Sequence, residues 1–149
     1  MNCIFCAFGK GTQKTHANGF PFETLLSLKN TISFLSTDLP ATEDGHVLII
    51  PKKHFENVED VPKNILHELI EHVALLTKVL RKTHSGCNIL LNDGKSAGQK
   101  VFHTHFHVIP REKNDQIIIE RFKRKSLTKK DFSTLNKKIK KEIKITLIS

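Results

Sequence analysis

The most informative part of the sequence is the stretch His103-Thr104-His105-Phe106-His107, which continues as Val108-Ile109-Pro110-Arg111. Every second residue of a β-strand points to the same face of its sheet. A strand over residues 101–109 therefore presents three imidazoles on one face and the apolar Phe106 and Val108 on the other. The pattern predicts a half-buried strand that carries a polar site.

Turn and hydrophobic patterns on either side of this strand predict four more strands and two helices. A helix over residues 60–84 has apolar side chains three and four positions apart, with Pro62 near its start and Gly86 past its end. A C-terminal helix over residues 128–146 begins at Thr128, which with Asp131 resembles a capping box. The other strands are predicted at residues 22–28, 31–35, 45–51 and 87–92, the first two joined as a hairpin.

This order of elements predicts an α+β fold in which an antiparallel five-stranded sheet packs on one long helix, with a C-terminal helix appended. Residues 1–120 are predicted to form one compact domain. Residues 121–149 are predicted to form a basic helical extension that packs on the same domain. The length of 149 residues is sufficient for one hydrophobic core without covalent cross-links.

The net charge of +9 comes entirely from the end of the chain. Residues 121–149 hold 11 Lys and Arg against 2 acidic residues, whereas residues 1–120 hold 13 of each. A basic arm for nucleic acid or an acidic surface is one interpretation, and a solvated helix face is the other. No aromatic stacking pattern accompanies these charges, which argues against nucleic acid as the main partner.

The sequence gives no indication of a membrane or secretory protein. No apolar run approaches the roughly 18 residues of a membrane span, and the first residues do not resemble a signal peptide. Three cysteines, an odd number, argue against a disulfide framework and fit a reducing compartment. We therefore expect a cytoplasmic protein.

The three histidines of the predicted strand are too far apart to share one metal ion. Residues two apart on a strand are separated by roughly 6.6 Å, which puts His103 about 13 Å from His107, whereas metal–imidazole bonds are about 2 Å long. Distinct roles follow, with His105 as nucleophile and His107 as a hydrogen-bond partner of the group under attack. In the preceding loop, Gly98 offers close backbone approach, and Gln99 is the third candidate catalytic residue, as an amide donor. A zinc site or surface histidines remain the alternative.

The N-terminal Cys3-Ile4-Phe5-Cys6 is a C-x-x-C motif, which favours a zinc site. Two thiolates need two further ligands for tetrahedral zinc, and we predict that His46 and His103 supply them. Redox chemistry and unliganded thiols are the alternatives. With His103 as a ligand, a structural Zn²⁺ would brace the segment that carries His105.

Two blocks of sequence, together with the C-x-x-C motif, resemble the histidine triad (HIT) family in its zinc-containing, bacterial-type branch. The first block runs from Asn92-Asp93-Gly94 through Gly98-Gln99 to the histidine stretch and Pro110-Arg111. The second is Gly45-His46-Val47-Leu48-Ile49-Ile50-Pro51-Lys52-Lys53-His54. The resemblance covers residues 1–111 and excludes the basic end of the chain.

This resemblance implies a nucleotidyl hydrolase or transferase that acts on the α-phosphate of purine nucleotides, with nucleoside phosphoramidates as the leading substrates. It implies that His105 forms a covalent nucleotidyl-histidine and that His107 contacts the phosphate or leaving group. It also implies a homodimer with one continuous sheet. The residues it assigns to nucleotide binding are Asn92 and Gln99 for phosphate, Asp38 for ribose, and Ile4, Phe5 and Phe8 for the base.

The sequence departs from the family pattern beside the predicted site. Lys100 replaces the usual Ser or Thr, and Ser36 and Thr37 replace residues that are usually apolar. Three rival functions stay open on the sequence alone. They are hydrolysis of diadenosine polyphosphates, a nucleotide-binding scaffold with vestigial activity, and hydrolysis by metal-bound water.

Overall fold

The computed structural model describes residues 3–37, 45–119 and 126–148. Contacts within the chain divide it into two compact units, residues 1–117 and residues 118–149. The first unit holds the sheet and the histidine-rich segment, and the described residues of the second form one helix. The domain division at residue 120, and the packing of the basic extension on the first domain, stay predictions.

The first unit contains a five-stranded antiparallel sheet, and the predicted α+β class is confirmed. The strand order is β1-β2-β3-β5-β4, so β1 and β4 form the two edges. The predicted hairpin joins β1 to β2. The strands are β1 (Thr24–Ser27), β2 (Thr31–Leu35), β3 (Val47–Pro51), β4 (Gly86–Leu91) and β5 (Phe106–Arg111).

The described residues of the first unit form two α-helices, α1 (Ile4–Gly9) and α2 (Lys63–Leu80). Helix α2 is shorter than the predicted residues 60–84 because both ends have local stop signals. Pro62 occupies its N-cap position, and the Thr83 hydroxyl donates to the Leu80 carbonyl, which the His84 ring also contacts at 2.9 Å. Among the described residues, no helix is long and apolar enough to cross a membrane.

The two faces of the sheet carry different cores. On one face, the apolar stripe of α2, including Leu69 and Val73, packs against β3 and β5. Full burial of a side chain of this size contributes roughly 1.5–3 kcal/mol. On the other face, α1 brings Phe5 and Phe8 against Phe34 and the residues around it. The second face is therefore aromatic, and it is the one that carries the histidines.

The histidine stretch is not one continuous strand as predicted, because β5 begins only at Phe106. Pro51 ends β3 opposite this point; it has no backbone N–H, and its carbonyl accepts a hydrogen bond from His103 Nε2 at 2.9 Å. The backbone N–H of Thr104 donates instead to the carbonyl of Phe55 at 2.7 Å. His103 and His105 thus precede the strand, and His107 lies within it.

The second unit consists of α3 (Lys129–Ile148) and the residues before it. The predicted capping box is confirmed, since Asp131 N donates to Thr128 Oγ1 at 3.1 Å and Thr128 N donates to Asp131 Oδ2 at 3.2 Å. Charged and apolar side chains alternate along the helix with helical spacing. Its apolar stripe, formed by Phe132, Leu135, Ile139 and Ile143, is exposed.

Candidate active site

A cavity of about 390 Å³ lies on the aromatic face of the sheet. Its wall combines an apolar part with a polar part that holds four imidazoles. The apolar lining residues are Ile4, Phe5, Phe8, Ala17, Phe34, Leu48, Leu90, Val101 and Ile109. The polar part and the loop lining it comprise His16, Ser36, Thr37, His46, Asn92, Gly98, Lys100, His105 and His107.

The apolar part of the cavity is an aromatic cluster built around helix α1. Phe5 and Phe8 are three residues apart on one face of that helix, and both are buried. Phe8 stacks on Phe22 with ring centroids 3.9 Å apart, and Phe5 meets Phe34 edge-on at 5.5 Å. The structure therefore brings the predicted residues Ile4, Phe5 and Phe8 together in a wall suited to a flat aromatic ring.

A hydrogen bond to the backbone of His103 fixes the ring of His105 in the tautomer that a nucleophile requires. Its Nδ1 donates to the carbonyl oxygen of His103 at 2.7 Å, which leaves the lone pair on Nε2. The ring is 5% exposed and lies edge-on to Phe5 at 5.3 Å. Burial lowers the pKa of His105, so the neutral ring is favoured at neutral pH.

His107 lies next to His105 and forms a pair with His46. The ring centroids of His105 and His107 are 4.8 Å apart, and a hydrogen bond of 2.8 Å joins His107 Nδ1 to His46 Nε2. In the sheet, His107 lies between Leu48 and Leu90. The two neighbouring strands fix its position, which places a second proton-carrying ring beside the candidate nucleophile.

A separate cluster brings together Cys3, Cys6, His54 and His103, whose ligand atoms all lie within 4.8 Å of one another. The Nδ1 of His103 is 3.4 Å from Cys3 Sγ and 3.6 Å from Cys6 Sγ. His54 Nδ1 is 3.4 Å from Cys6 Sγ. A tetrahedral zinc with bonds of about 2.0–2.3 Å separates neighbouring ligand atoms by roughly 3.3–3.8 Å. Two thiols and two imidazoles at this spacing fit zinc.

The electrostatics of the cluster also suit a cation. Burial lowers the pKa of His103 to about 4, which keeps its ring neutral, as a metal ligand must be. Burial and the neighbouring Cys3 raise the pKa of the Cys6 thiol. A cation between the two sulfurs would reverse that effect and favour both thiolates.

The prediction that His46 joins the two cysteines and His103 is wrong, because His54 occupies that position in the cluster. His46 immediately precedes β3, whereas His54 follows its other end, and the strand between them is about 17 Å long. The carbonyl of Pro51, the last residue of β3, accepts the hydrogen bond from His103 Nε2. The cysteines therefore meet the His54 end of the strand, and His46 meets His107.

The loop between β4 and the histidine segment is held by Gln99, which we predicted to be a catalytic and phosphate-contacting residue. In the structure its side chain is bonded within the protein. Its Oε1 accepts from Gly94 N at 2.7 Å, and its Nε2 donates to the Glu56 carbonyl at 3.0 Å. Gln99 is not among the described residues that line the cavity. Its amide positions the loop, because both of its ends are bonded within the protein.

Other predicted nucleotide-binding residues have varied outcomes. Asn92 lines the cavity as expected for a phosphate contact, whereas Asp38 lies outside the described residues. His16 also lines the cavity, with its ring 5.1 Å from that of Phe8, and was not predicted. It falls in a segment without periodicity, so the sequence offered no signal for it.

Comparison with known proteins finds the HIT domain matched over residues 24–114. The adenosine 5'-monophosphoramidase of Candida albicans is 37% identical over 117 residues, which cover 74% of this chain and 71% of that protein. An adenylylsulfatase of Arabidopsis thaliana is 30% identical over 116 residues, covering 76% of this chain and 54% of that protein.

Solved structures show the same fold. The histidine triad nucleotide-binding protein from Candida albicans superimposes with a TM-score of 0.80 at 31% identity, covering 97% of this chain and 99% of that one. A zinc-bound histidine triad family protein from Mycobacterium smegmatis gives a TM-score of 0.62 at 32% identity, with 82% and 84% of the two chains covered.

Proposed function

Because the chain belongs to the HIT family, we propose that it is a nucleotidyl hydrolase or transferase acting on the α-phosphate of purine nucleotides. Two relatives are named as nucleotide hydrolases, an adenosine 5'-monophosphoramidase and an adenylylsulfatase. The leading substrates are nucleoside phosphoramidates. The observation that carries the proposal is the hydrogen bond from His105 Nδ1 to the His103 carbonyl, which leaves a lone pair on Nε2 beside the cavity.

The proposed reaction has two steps, both at phosphorus. In the first, His105 Nε2 bonds to the α-phosphorus while the bond to the leaving group breaks, and a leaving amine takes a proton from His107. In the second, water attacks phosphorus, the N–P bond breaks, and His107 takes the proton of the water. The products are a nucleoside monophosphate, the free leaving group and neutral His105.

The apolar and polar parts of the cavity wall are suited to different parts of the substrate, the base and the phosphate. The aromatic wall of Ile4, Phe5 and Phe8 is proposed to hold the purine. Asn92, in the polar part of the cavity, is proposed to contact the phosphate. Asp38, outside the described residues, is proposed to bind the ribose from the family resemblance alone. Gln99 contributes by holding the loop from which Asn92 and Gly98 reach the cavity.

We also propose a structural zinc site formed by Cys3, Cys6, His54 and His103. Support comes from the ligand set, its spacing and the zinc-bound structural relative. When bound, zinc would supply a rigid link between α1 and the end of β3, with no part in bond breaking. Since the backbone of His103 orients His105, that link would stiffen the nucleophile.

The quaternary state and location stay proposals. We propose a homodimer with one continuous sheet, in which the edge strand β4 pairs with its copy. A cytoplasmic location accords with Cys3, Cys6 and Cys87, all of which are free in the structure.

The proposed intermediate is tested by mixing the protein with excess adenosine 5'-phosphoramidate for less than one turnover and quenching without acid. Mass spectrometry is expected to find an adenylyl group on the peptide that contains His105. His105→Ala is expected to lose this adduct and to lower kcat by a factor of at least about 10³, because the nucleophile is removed. His67→Ala, an exposed histidine on α2, is the matched control and is expected to behave as the unmodified protein.

Two results would contradict the proposal. Steady turnover by His105→Ala would exclude the covalent route, and loss of turnover with zinc chelation while the fold persists would favour metal-bound water as the nucleophile. A protein that binds adenine nucleotides but turns over neither phosphoramidates nor diadenosine polyphosphates would instead be a scaffold.

A further inference from the structure

A second cavity, of about 350 Å³, adjoins the candidate active site at the β1 edge of the sheet. Its volume is close to the 390 Å³ of the first cavity and lies in the usual range of small-molecule sites. Its apolar lining residues are Phe20, Pro21, Leu25 and Leu35, all of them exposed. An apolar wall that is open to solvent favours an apolar group of a ligand.

The two cavities meet at His16, Ser36 and Thr37, which line both of them. The His16 ring belongs to the aromatic wall, with its centroid 5.1 Å from that of Phe8 and 6.0 Å from that of Phe34. Among the described residues, the imidazoles of the proposed reaction and the loop after β4 line only the first cavity. The second cavity therefore opens from the end where the base is proposed to lie, and not from the phosphate end.

The loop that carries Phe20 is held by its own backbone contacts. Thr15 and Pro21 form an antiparallel bridge across it. Within the loop, His16 N donates to the Phe20 carbonyl at 2.8 Å, and Gly19 N donates to the His16 carbonyl at 3.0 Å. These contacts fix the two side chains that separate and bound the second cavity, His16 and Phe20.

The charge of the second cavity discriminates between two kinds of occupant. Glu23 is the one carboxylate among the described residues that line it, and none of those residues is Lys or Arg. The second nucleotide of a dinucleoside polyphosphate would bring a phosphate chain to a wall without a cation. An uncharged apolar group attached to the base suits both the position and the chemistry of this wall.

We propose that the second cavity is a subsite for an apolar substituent on the nucleobase, so that the substrates include purine nucleotides alkylated or benzylated on the base. This inference rests on the proposed function, since it requires the purine to lie on the wall formed by Phe5 and Phe8. The substituent binds away from phosphorus and leaves the chemical step unchanged. Its burial against Phe20 and Leu25 strengthens binding.

The test compares kcat/KM for adenosine 5'-phosphoramidate with kcat/KM for its N6-benzyl and 2-benzylamino derivatives, which carry the same ring on two edges of the purine. At least one derivative is expected to have a kcat/KM about 10-fold higher, because its ring is buried from water. Phe20→Ser combined with Leu25→Ser is expected to return this ratio to about 1, and turnover of the unsubstituted compound reports that the variant is folded. Phe132→Ser combined with Leu127→Ser makes the same changes at similarly exposed positions of the second unit and is expected to keep the ratio.

The outcomes separate this inference from the proposed function. A ratio of 1 or less for both derivatives overturns the subsite, and so does a raised ratio that Phe20→Ser with Leu25→Ser leaves unchanged. A preference for one derivative alone identifies the purine edge that faces the second cavity and supports the inference. If no compound is turned over and no adenylyl adduct forms on His105, the proposed function fails. The dissociation constants of the corresponding nucleoside monophosphates then decide the subsite: tighter binding of a benzylated one supports it, and equal or weaker binding overturns it.

Discussion

A single residue, His103, connects the two parts of the candidate site. Its Nδ1 faces the cysteine sulfurs, its Nε2 bonds the Pro51 carbonyl, and its own carbonyl accepts the hydrogen bond from His105. Its backbone N–H also donates to the Val101 carbonyl at 2.8 Å, so every polar group of the residue bonds or faces a different neighbour. The proposed metal site and the proposed nucleophile therefore share this one residue.

The identity of the fourth metal ligand gives a direct prediction. Purified His54→Ala is expected to hold much less than one zinc per chain, with an affinity at least about 10-fold lower, because one of four ligands is missing. His46→Ala is expected to retain zinc, because His46 bonds His107 instead. The measurement is zinc content by mass spectrometry of the metal, together with a chelator titration.

The opposite result would reverse the assignment. Zinc retained by His54→Ala and lost by His46→Ala would require a different arrangement of α1 against β3. Equal, full zinc content in both variants would place any bound metal elsewhere.

The predicted site residues that the structure brings together are those whose neighbours are close in the chain. Cys3 and Cys6 share one helical turn, and the imidazoles of His105 and His107 follow from spacing alone. The choice between His46 and His54 depends on which end of β3 meets His103, and that is a tertiary contact. Gln99 likewise bonds Glu56, 43 residues away, so its positioning role was not visible in the loop sequence.

Among the elements, the sequence pattern predicted the long helix α2 and the strands but not the short helix α1. Helix α2 and the strands have enough turns or alternations to indicate their type, although their ends moved by a few residues. Helix α1 has only six residues and was missed, since its stability depends on packing of Phe5 and Phe8 rather than on periodicity. Gly9 permits that packing, because a Cβ there would lie 3.0 Å from the Lys52 carbonyl oxygen.

Helix α2 and strand β2 are joined by a buried polar network centred on His72. Its Nδ1 is 2.9 Å from Thr31 Oγ1 and its Nε2 is 3.0 Å from Ser33 Oγ. Glu68 on the same helix accepts from Thr31 Oγ1 and from the backbone and side chain of Asn30. The hydroxyl groups satisfy a neutral ring, which fixes the register between helix and sheet.

This network predicts a specific pH dependence of stability. Burial lowers the pKa of His72, and Glu68 opposes the shift only in part. The unfolded state therefore binds a proton at His72 more readily, so the stabilisation from its neutral ring is present above about pH 6.5 and is lost as the pH falls. His72→Gln is expected to be less stable near neutral pH. Its free energy of unfolding should fall less steeply below pH 6.5, by up to about 1.4 kcal/mol per pH unit.

Urea unfolding at a series of pH values from 5 to 8 measures this difference, with stability and slope fitted separately. His67→Gln removes an exposed histidine from the same helix and serves as the control. Parallel curves for His72→Gln and the unmodified protein would contradict the assignment, because they would show no proton uptake at His72 on unfolding.

At the scale of the whole molecule, the two edges of the sheet differ in their capacity to pair with a second copy. Strand β1 is short and its register with β2 shifts between Thr24 and Leu26, which disrupts an edge. Strand β4 pairs with β5 in unbroken register over six residues, so its outer edge is regular. Ile89 on β4 is opposite Val108, on the α2 side of the sheet, and is 48% exposed. A regular edge with an exposed apolar side chain favours β4 as the interface of the proposed dimer.

The dimer proposal leads to a prediction about Ile89. A two-fold interface through β4 uses the residue twice, so Ile89→Lys is expected to weaken dimerisation by at least about 100-fold in Kd, since each buried isoleucine contributes roughly 1.5–3 kcal/mol. Leu25→Lys makes the same chemical change on the β1 edge, where Leu25 is similarly exposed, and is expected to leave the dimer intact. Sedimentation equilibrium of the three proteins at micromolar concentration measures the difference. A monomeric unmodified protein would overturn the dimer, whereas dissociation by Leu25→Lys alone would move the interface to β1.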